Sequence, residues 1–550
     1  MFISKSKTDY ELWKHDSKKN KSLREMVDEN LRDILEKLSE DIISKNYNFL
    51  QKKFDKELLK LHLKYNLLNY VYPIAIELAS NKKLKLKNLN TNFFLNKINF
   101  GFNSFLQITN SIINSIYFLN LKKKNLVKKK YPIMVEYFYG VKQKNDFPDI
   151  NNFKRNDILF LFRQELDPWF LSVKSLQQKK FNYDYICLNK LNSKYIDYKK
   201  FPLNKISTKT RESLKKILIY SINSPKKAFI NSFIIKFILD YEIYYQIFKR
   251  FDTKVFVHSL TLDKFFAPIR QALDDCNAIN VNYLRSYYTN KINSFLAQPD
   301  EIIFSWGKFF EKNFDKKSNI NKNIFYSKPY FAKLTEDKKL IKLIKKKTKN
   351  KKIISLFDTS AYDTGIFSPQ KHDSLMQYIL NYVVKNKDTF LIIKYKNPYT
   401  KKAFKKRNLI NKLSNQKRIL EIETPYYNTL SIYKISKLIV SMNTLSIGTE
   451  ALYHGCDSLN LLVKSFNKSD LESFNKIYPF GYTNMKNFSK IFEFKMKSKK
   501  NIEKLNKLRN YIFHNYSINS SNFIKYFIEK SKNDLSKTKI IKEYIKKQII

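Results

Sequence analysis

Glycine is scarce in this chain of 550 residues, seven in all, and two of them bracket its most suggestive stretch, SMNTLSIGTEALYHGC at residues 441–456. An apolar run ends at Ser441, a polar turn offers Asn443, Thr444 and Ser446, and a helix is predicted to open near Gly448 and close at Gly455. The unpaired N–H groups of a helix start, together with its dipole, favour a phosphate or another anion. Glu450 falls within the first turn or so, where a carboxylate can accept hydrogen bonds from ribose or sugar hydroxyls. An ordinary capped helix with Gly455 as its stop has the same spelling, so the pattern leaves both readings open.

Other groups that could move protons are dispersed. His258 closes the strand-like VFVHS and is expected to face a cleft as a general base, although a lone histidine more often serves as a structural hydrogen-bonder. Asp358 and Asp363 flank the turn after IISLFD and are alternative bases; turn formation and helix capping are the commoner uses of such aspartates. Arg285 follows an apolar strand, where its guanidinium suits an acidic acceptor or a diphosphate as well as a surface ion pair. His454 precedes Gly455 and reads as a contact at the helix C-terminus. Trp169 and Trp306 read as core aromatics, and Cys187, Cys276 and Cys456 as buried thiols. No His/Cys/Asp cluster has metal-ligand spacing, so no metal and no cofactor is expected.

Positioning such residues requires elements that end at a common edge. Residues 131–138 (YPIMVEYF), 157–162, 185–189, 255–259, 278–284 and 300–306 read as short apolar strands, with helices at 211–223, 226–250 and 262–276. After a lysine-dense linking helix at 337–352 the alternation resumes, with strands at 353–358, 389–395, 419–422, 438–441 and 458–463 and helices at 372–385, 399–413, 430–435 and 446–453. Strands apolar throughout and separated by helices imply parallel sheets covered on both faces. The expected architecture is α/β: a helical N-terminal region (1–125), two Rossmann-like doubly wound domains (126–335 and 336–500) and a helical tail (501–550). Two such sheets in tandem place a cleft between the carboxyl ends of their strands.

The charge is extreme: 104 Lys+Arg against 49 Asp+Glu, a formal +55. This excludes an acidic scaffold, and three cysteines exclude a disulfide-stapled secreted fold. Nucleic-acid binding is the obvious reading of such a balance. Yet the basic residues are 93 Lys and only 11 Arg, and the excess extends to Asn, Ile, Phe and Tyr, the pattern of A/T-rich codons rather than of Arg forks for phosphate and base. No specific nucleic-acid partner is expected. The charge still favours anionic small substrates and peripheral contact with an anionic membrane. No apolar stretch reaches the ~18 residues of a span, and the polar first twenty residues lack a signal-peptide core, so a cytoplasmic location, at the inner membrane face, is expected.

At residues 441–456 the chain resembles the Ser/Thr-rich turn, Glu-Ala and Gly that mark the donor domain of GT-B glycosyltransferases, especially the surface and capsular polysaccharide enzymes and their glycerophosphotransferase relatives. Residues 300–307 (DEIIFSWG) resemble the strand that ends their first domain, 353–360 (IISLFDTS) the first strand of their second, and 389–398 (TFLIIKYKNP) their Lys-containing strand and turn. The resemblance spans residues 131–482 through degenerate motifs in conserved order. It implies that Asn443, Thr444, Ser446 and the helix start at Gly448 meet the diphosphate of a nucleotide sugar, that Glu450 holds its ribose or sugar, and that Lys394 supplies charge near the leaving phosphate. The implied activity is transfer of a glycosyl or alditol-phosphate group to a surface polysaccharide or lipid-linked acceptor. Two histidines of the family pattern are missing, at 394–398 and at 282–286. A nucleotide-sugar epimerase of the same fold and a non-catalytic carbohydrate-assembly protein are therefore the alternatives.

Overall fold

A computed structural model of the chain describes residues 21–80, 102–123, 129–137, 147, 149–162, 183–187, 203–221, 225–258, 266–284, 299–307, 309–310, 323–358, 369–395, 407–422, 429–443, 446–462, 468–513, 518–533 and 535–549. Two parallel sheets carry the fold. The first contains β1 (Ile133–Tyr137), β2 (Ile158–Phe162), β3 (Asp184–Cys187), β4 (Val255–His258), β5 (Ile279–Tyr283), β6 (Ile302–Ser305) and β7 (Asn323–Tyr326), in the order β3-β2-β1-β4-β5-β6-β7. The second contains β8 (Lys352–Phe357), β9 (Thr389–Lys394), β10 (Ile419–Ile422), β11 (Leu438–Asn443), β12 (Ser458–Leu462) and β13 (Gly481–Tyr482), in the order β10-β9-β8-β11-β12-β13. The expected pair of doubly wound sheets is thus present. Each sheet reverses its winding once, between β1 and β4 and between β8 and β11, and in open α/β sheets such a switch opens a crevice at the carboxyl ends.

Alternation along the strands sends side chains to two apolar layers. On one face of the first sheet, Met134, Leu159 and Phe256 share a core with helices Lys21–Asn46, Lys56–Ser80, Pro225–Phe251 and Phe266–Asp275. On the other, Ile133, Val135, Val257 and Val281 are covered by Phe523, Ile524, Phe527, Ile540 and Tyr544 of helices Ser520–Lys530 and Lys537–Ile549. The chain therefore returns, after building the second lobe, to finish the first. Polar ties fix the return: buried Asp149 accepts hydrogen bonds from the Tyr283 hydroxyl (2.8 Å) and from Ser520, and Lys537 pairs with Asp274 and, at 3.0 Å, with Glu301.

The lobes meet through a third apolar layer in which Leu284, Trp306, Phe310 and Phe331 pack on Leu452, Phe474, Leu508 and Phe513. Trp306 is 1% exposed, as a core aromatic should be, and its ring meets that of Phe331 edge-on at 4.9 Å. Trp169 lies outside the described residues. His454 Nε2 is 3.0 Å from the Phe331 carbonyl. It therefore contacts the neighbouring lobe rather than its own helix terminus, a correction to the expected role. Cys456 is buried and Cys276 partly so, both unpaired, with burial raising both thiols and pushing Cys276 up to about 12.

Candidate functional site

The crevice of the second sheet is lined by chain that leaves β8, β9 and β11. Asp358 directly follows β8, and its N–H extends the ladder by donating to the Lys394 carbonyl at 3.0 Å. Its carboxylate lies 3.1 Å from His372 Nε2, and both side chains are fully buried. His372 belongs to the first turn of helix Pro369–Lys385, and its Nδ1 is 3.3 Å from Asp373. The preceding residue, Lys371, donates to the carbonyls of Leu462 and Thr483, 2.7 Å each. One helix start is thus lashed to the carboxyl ends of β8 and β12. Sequence reading placed His372 only at a helix boundary and missed it as Asp358's partner. The available signal was that histidine is rare, six in the chain.

Helix Ser446–Tyr453 crosses from β11 to β12. Its approach is close because Gly448 has no side chain: a Cβ there would lie 2.3 Å from Asn460 Oδ1 on β12. Asn460 is in turn held by the Ser441 hydroxyl and by the Phe480 carbonyl, 2.7 Å from its Nδ2. Gly455, at φ 68°, takes the left-handed conformation that ends helices, with its N–H on Leu452 and that of Cys456 on Ala451, 2.9 Å each. The expected stop is therefore where the sequence puts it.

Glu450 lies in the middle of this helix, 6% exposed. The Thr429 hydroxyl, at the start of helix Thr429–Ile435, donates to it at 2.8 Å. Burial pushes its carboxyl up to about 7, with Thr429, Lys394 and Tyr433 pulling the other way. Lys394, the last residue of β9, is half-buried, with its ammonium 5.9 Å from the centre of the Phe357 ring. Ser446 is also half-buried. The second lobe thus gathers Asp358, Lys394, Ser446, Gly448 and Glu450 at one end of its sheet. Asn443 is the last residue of β11, while Thr444 and Asp363 lie outside the described residues.

The first lobe differs from expectation. His258 does close β4, but its ring has no exposure and does not face a cleft. It stacks on Phe266, with ring centres 4.0 Å apart, and places Nε2 2.7 Å from Asp300. Asn280 and Asn282 of β5 also donate to Asp300, at 3.0 and 2.7 Å. A parallel strand alternates its faces: Val257 turns to the layer beneath the carboxy-terminal helices, whereas His258 shares the other face with Phe256 and lies under Phe266 of helix Phe266–Asp275. Beside it, in the register that pairs Val135 with Val257, stands Glu136 of β1, 2% exposed. Sequence reading passed over this carboxylate inside YPIMVEYF. Arg285 lies outside the described residues. Among the described residues, no group of three or more His, Cys, Asp and Glu side chains is placed to hold a metal ion.

No family model matches the chain, and no curated protein does. Solved structures resemble it at low identity. Staphylococcus aureus MnaA in complex with UDP is 15% identical, covering 68% of this chain and 97% of its own, at a TM-score of 0.41. Anabaena HepE in complex with UDP and glucose is 10% identical over 74% of this chain and 99% of its own, at 0.40. Medicago truncatula UGT71G1 complexed with UDP-glucose is 10% identical over 74% and 98%, at 0.42.

Proposed function

We propose that the chain is a cytoplasmic transferase that moves a glycosyl or alditol-phosphate group from a nucleotide-activated donor to a surface polysaccharide or lipid-linked acceptor at the inner face of the membrane. The observation that carries this reading is the convergence, at the switch point of the second sheet, of the Lys394 ammonium, the start of helix Ser446–Tyr453 and the buried Glu450 carboxyl. A departing nucleotide diphosphate concentrates negative charge on its oxygens. A fixed ammonium and aligned backbone N–H groups stabilise that charge without reorganising, the largest effect available to such a site. Glu450 serves recognition: a carboxylate offers about four lone-pair sites, of which Thr429 and Tyr433 take two, leaving others for ribose or sugar hydroxyls.

On the acceptor side a base must take the hydroxyl proton. The His258 ring is sealed in the first lobe's core and the Asp358 side chain is buried against His372, so of the three candidate bases Asp363, which follows β8 in the sequence, is the one assigned that task here. The test is calorimetric titration of the purified chain with uridine and cytidine diphosphate sugars. Glu450→Ala is expected to weaken donor binding about tenfold or more, the effect of losing a charge-assisted hydrogen bond. Unchanged affinity in that variant would remove the donor assignment.

A further inference from the structure

Helix Phe102–Leu119 carries an exposed apolar strip. In a chain with 28% charged residues, its eighteen residues, FNSFLQITNSIINSIYFL, include none. Its serines turn inward, Ser104, Ser111 and Ser115 being buried, and Gln107 donates to Ser232 of helix Pro225–Phe251 at 2.8 Å, while Asn110 and Asn114 are exposed. Large apolar ones turn outward, with Phe105 63%, Ile113 58%, Ile116 52% and Tyr117 56% exposed. The spacing of eight, three and one places them along one side of the cylinder. A surface helix of a globular protein normally has the opposite arrangement.

Its surroundings are basic. The chain leaves the helix through exposed Lys122 and Lys123, and the two helices packed beside it, Thr208–Ser221 and Pro225–Phe251, expose Lys215, Lys216, Ile219, Lys226 and Lys227 against one exposed carboxylate, Glu212, itself paired with Lys53. We propose that this face docks on an anionic bilayer, with the helix lying in the interfacial plane. Phe105, Ile113, Ile116 and Tyr117 would enter the boundary between headgroups and acyl chains, and the lysines would meet anionic headgroups. Charge selects this occupant over a second copy of the chain, because a two-fold contact would bring two lysine rims of a +55 protein face to face. The contact is peripheral: among the described residues, no helix is long and apolar enough to cross a membrane.

The experiment is cosedimentation of the full chain with phosphatidylcholine vesicles with and without phosphatidylglycerol. Binding to the anionic vesicles alone is expected. Ile113→Asp/Ile116→Asp should reduce it about tenfold or more, as should Lys122→Glu/Lys123→Glu. Both pairs are exposed, and an unchanged thermal unfolding curve checks that each variant is folded. Lys345→Glu/Lys346→Glu, on the lysine-rich helix Lys338–Thr348 elsewhere, is the control for bulk charge and should change binding less than twofold. The proposal is overturned if wild type ignores anionic vesicles, if the folded isoleucine variant binds like wild type, or if the control loses as much as the other two. Light scattering showing a dimer that the isoleucine variant dissolves would also overturn it, assigning the face to a second copy. Vesicle binding requires no nucleotide, so this outcome and the donor assignment stand or fall separately.

Discussion

Where the first sheet reverses its winding, β4 ends in a histidine with no exposure, tied to Asp300 under a lid of aromatic and amide side chains. At the matching place in the second sheet, Lys394 and Ser446 stay half-buried, and burial pushes the Glu450 carboxyl up to about 7. Equal strand order thus supports different uses. Buried polar groups that converge on one acceptor beneath packed rings specify packing, whereas half-buried groups at a strand's carboxyl end are placed to bind. The comparison assigns the first cluster to stability and the second to ligand, and mutation can separate the two.

The largest effect is expected at Asp300→Ala. It strands His258, Asn280 and Asn282 without their common acceptor, and urea unfolding should show a loss of about 3–5 kcal/mol with no specific effect on donor affinity. If stability holds and only ligand binding falls, the assignment of the two clusters is reversed.

Glu450 comes next. Its carboxyl is raised from 4.5 to about 7 in the folded chain, so folding takes up a proton between those values. Its contribution to stability is most favourable below the unfolded value and is lost as the pH climbs through about 7, a change of ~3 kcal/mol. Glu450→Gln should flatten that segment of the profile when unfolding free energies are measured from about pH 5 to about pH 8. An unchanged slope would show that Glu450 is not the titrating group.

At Gly448→Ala the new methyl would meet Asn460 and push the helix off β12, costing about 1–3 kcal/mol in chemical denaturation and loosening the donor end as well. The smallest structural effect is expected at Lys394→Ala: stability within about 0.5 kcal/mol, but affinity for a nucleotide sugar lower by about tenfold in titration calorimetry. A variant that loses stability and keeps affinity would move Lys394 into the structural class.

Periodicity and apolar runs made most of this fold readable. Runs such as VFVH and TFLIIK have only one way to be buried, as central parallel strands, and eleven strands appear close to where the sequence puts them. The two that were missed are short edges: Asn323–Tyr326 has one neighbour, and Gly481–Tyr482 has two residues, so neither needs a long apolar run. The site was only partly legible. Gly448 and Glu450 belong to one helix that Gly455 ends, and local spelling located all three. His372 and Glu136 depend on contacts between distant segments, Asp358 with His372 and the β1–β4 register, which no local pattern encodes. His258 was misplaced for the same reason. The end of a strand marks the crevice side, but which face a residue takes, and what lies on it, is decided by Phe266 and Asp300.

The returning tail has a consequence for biosynthesis. One face of the first sheet is roofed largely by helices Ser520–Lys530 and Lys537–Ile549, which the ribosome delivers only after the entire second lobe has been made. Until then Ile133, Val135, Val257 and Val281 lie open beside a nascent chain, so the amino-terminal lobe cannot mature first, and the order of folding runs against the order of translation.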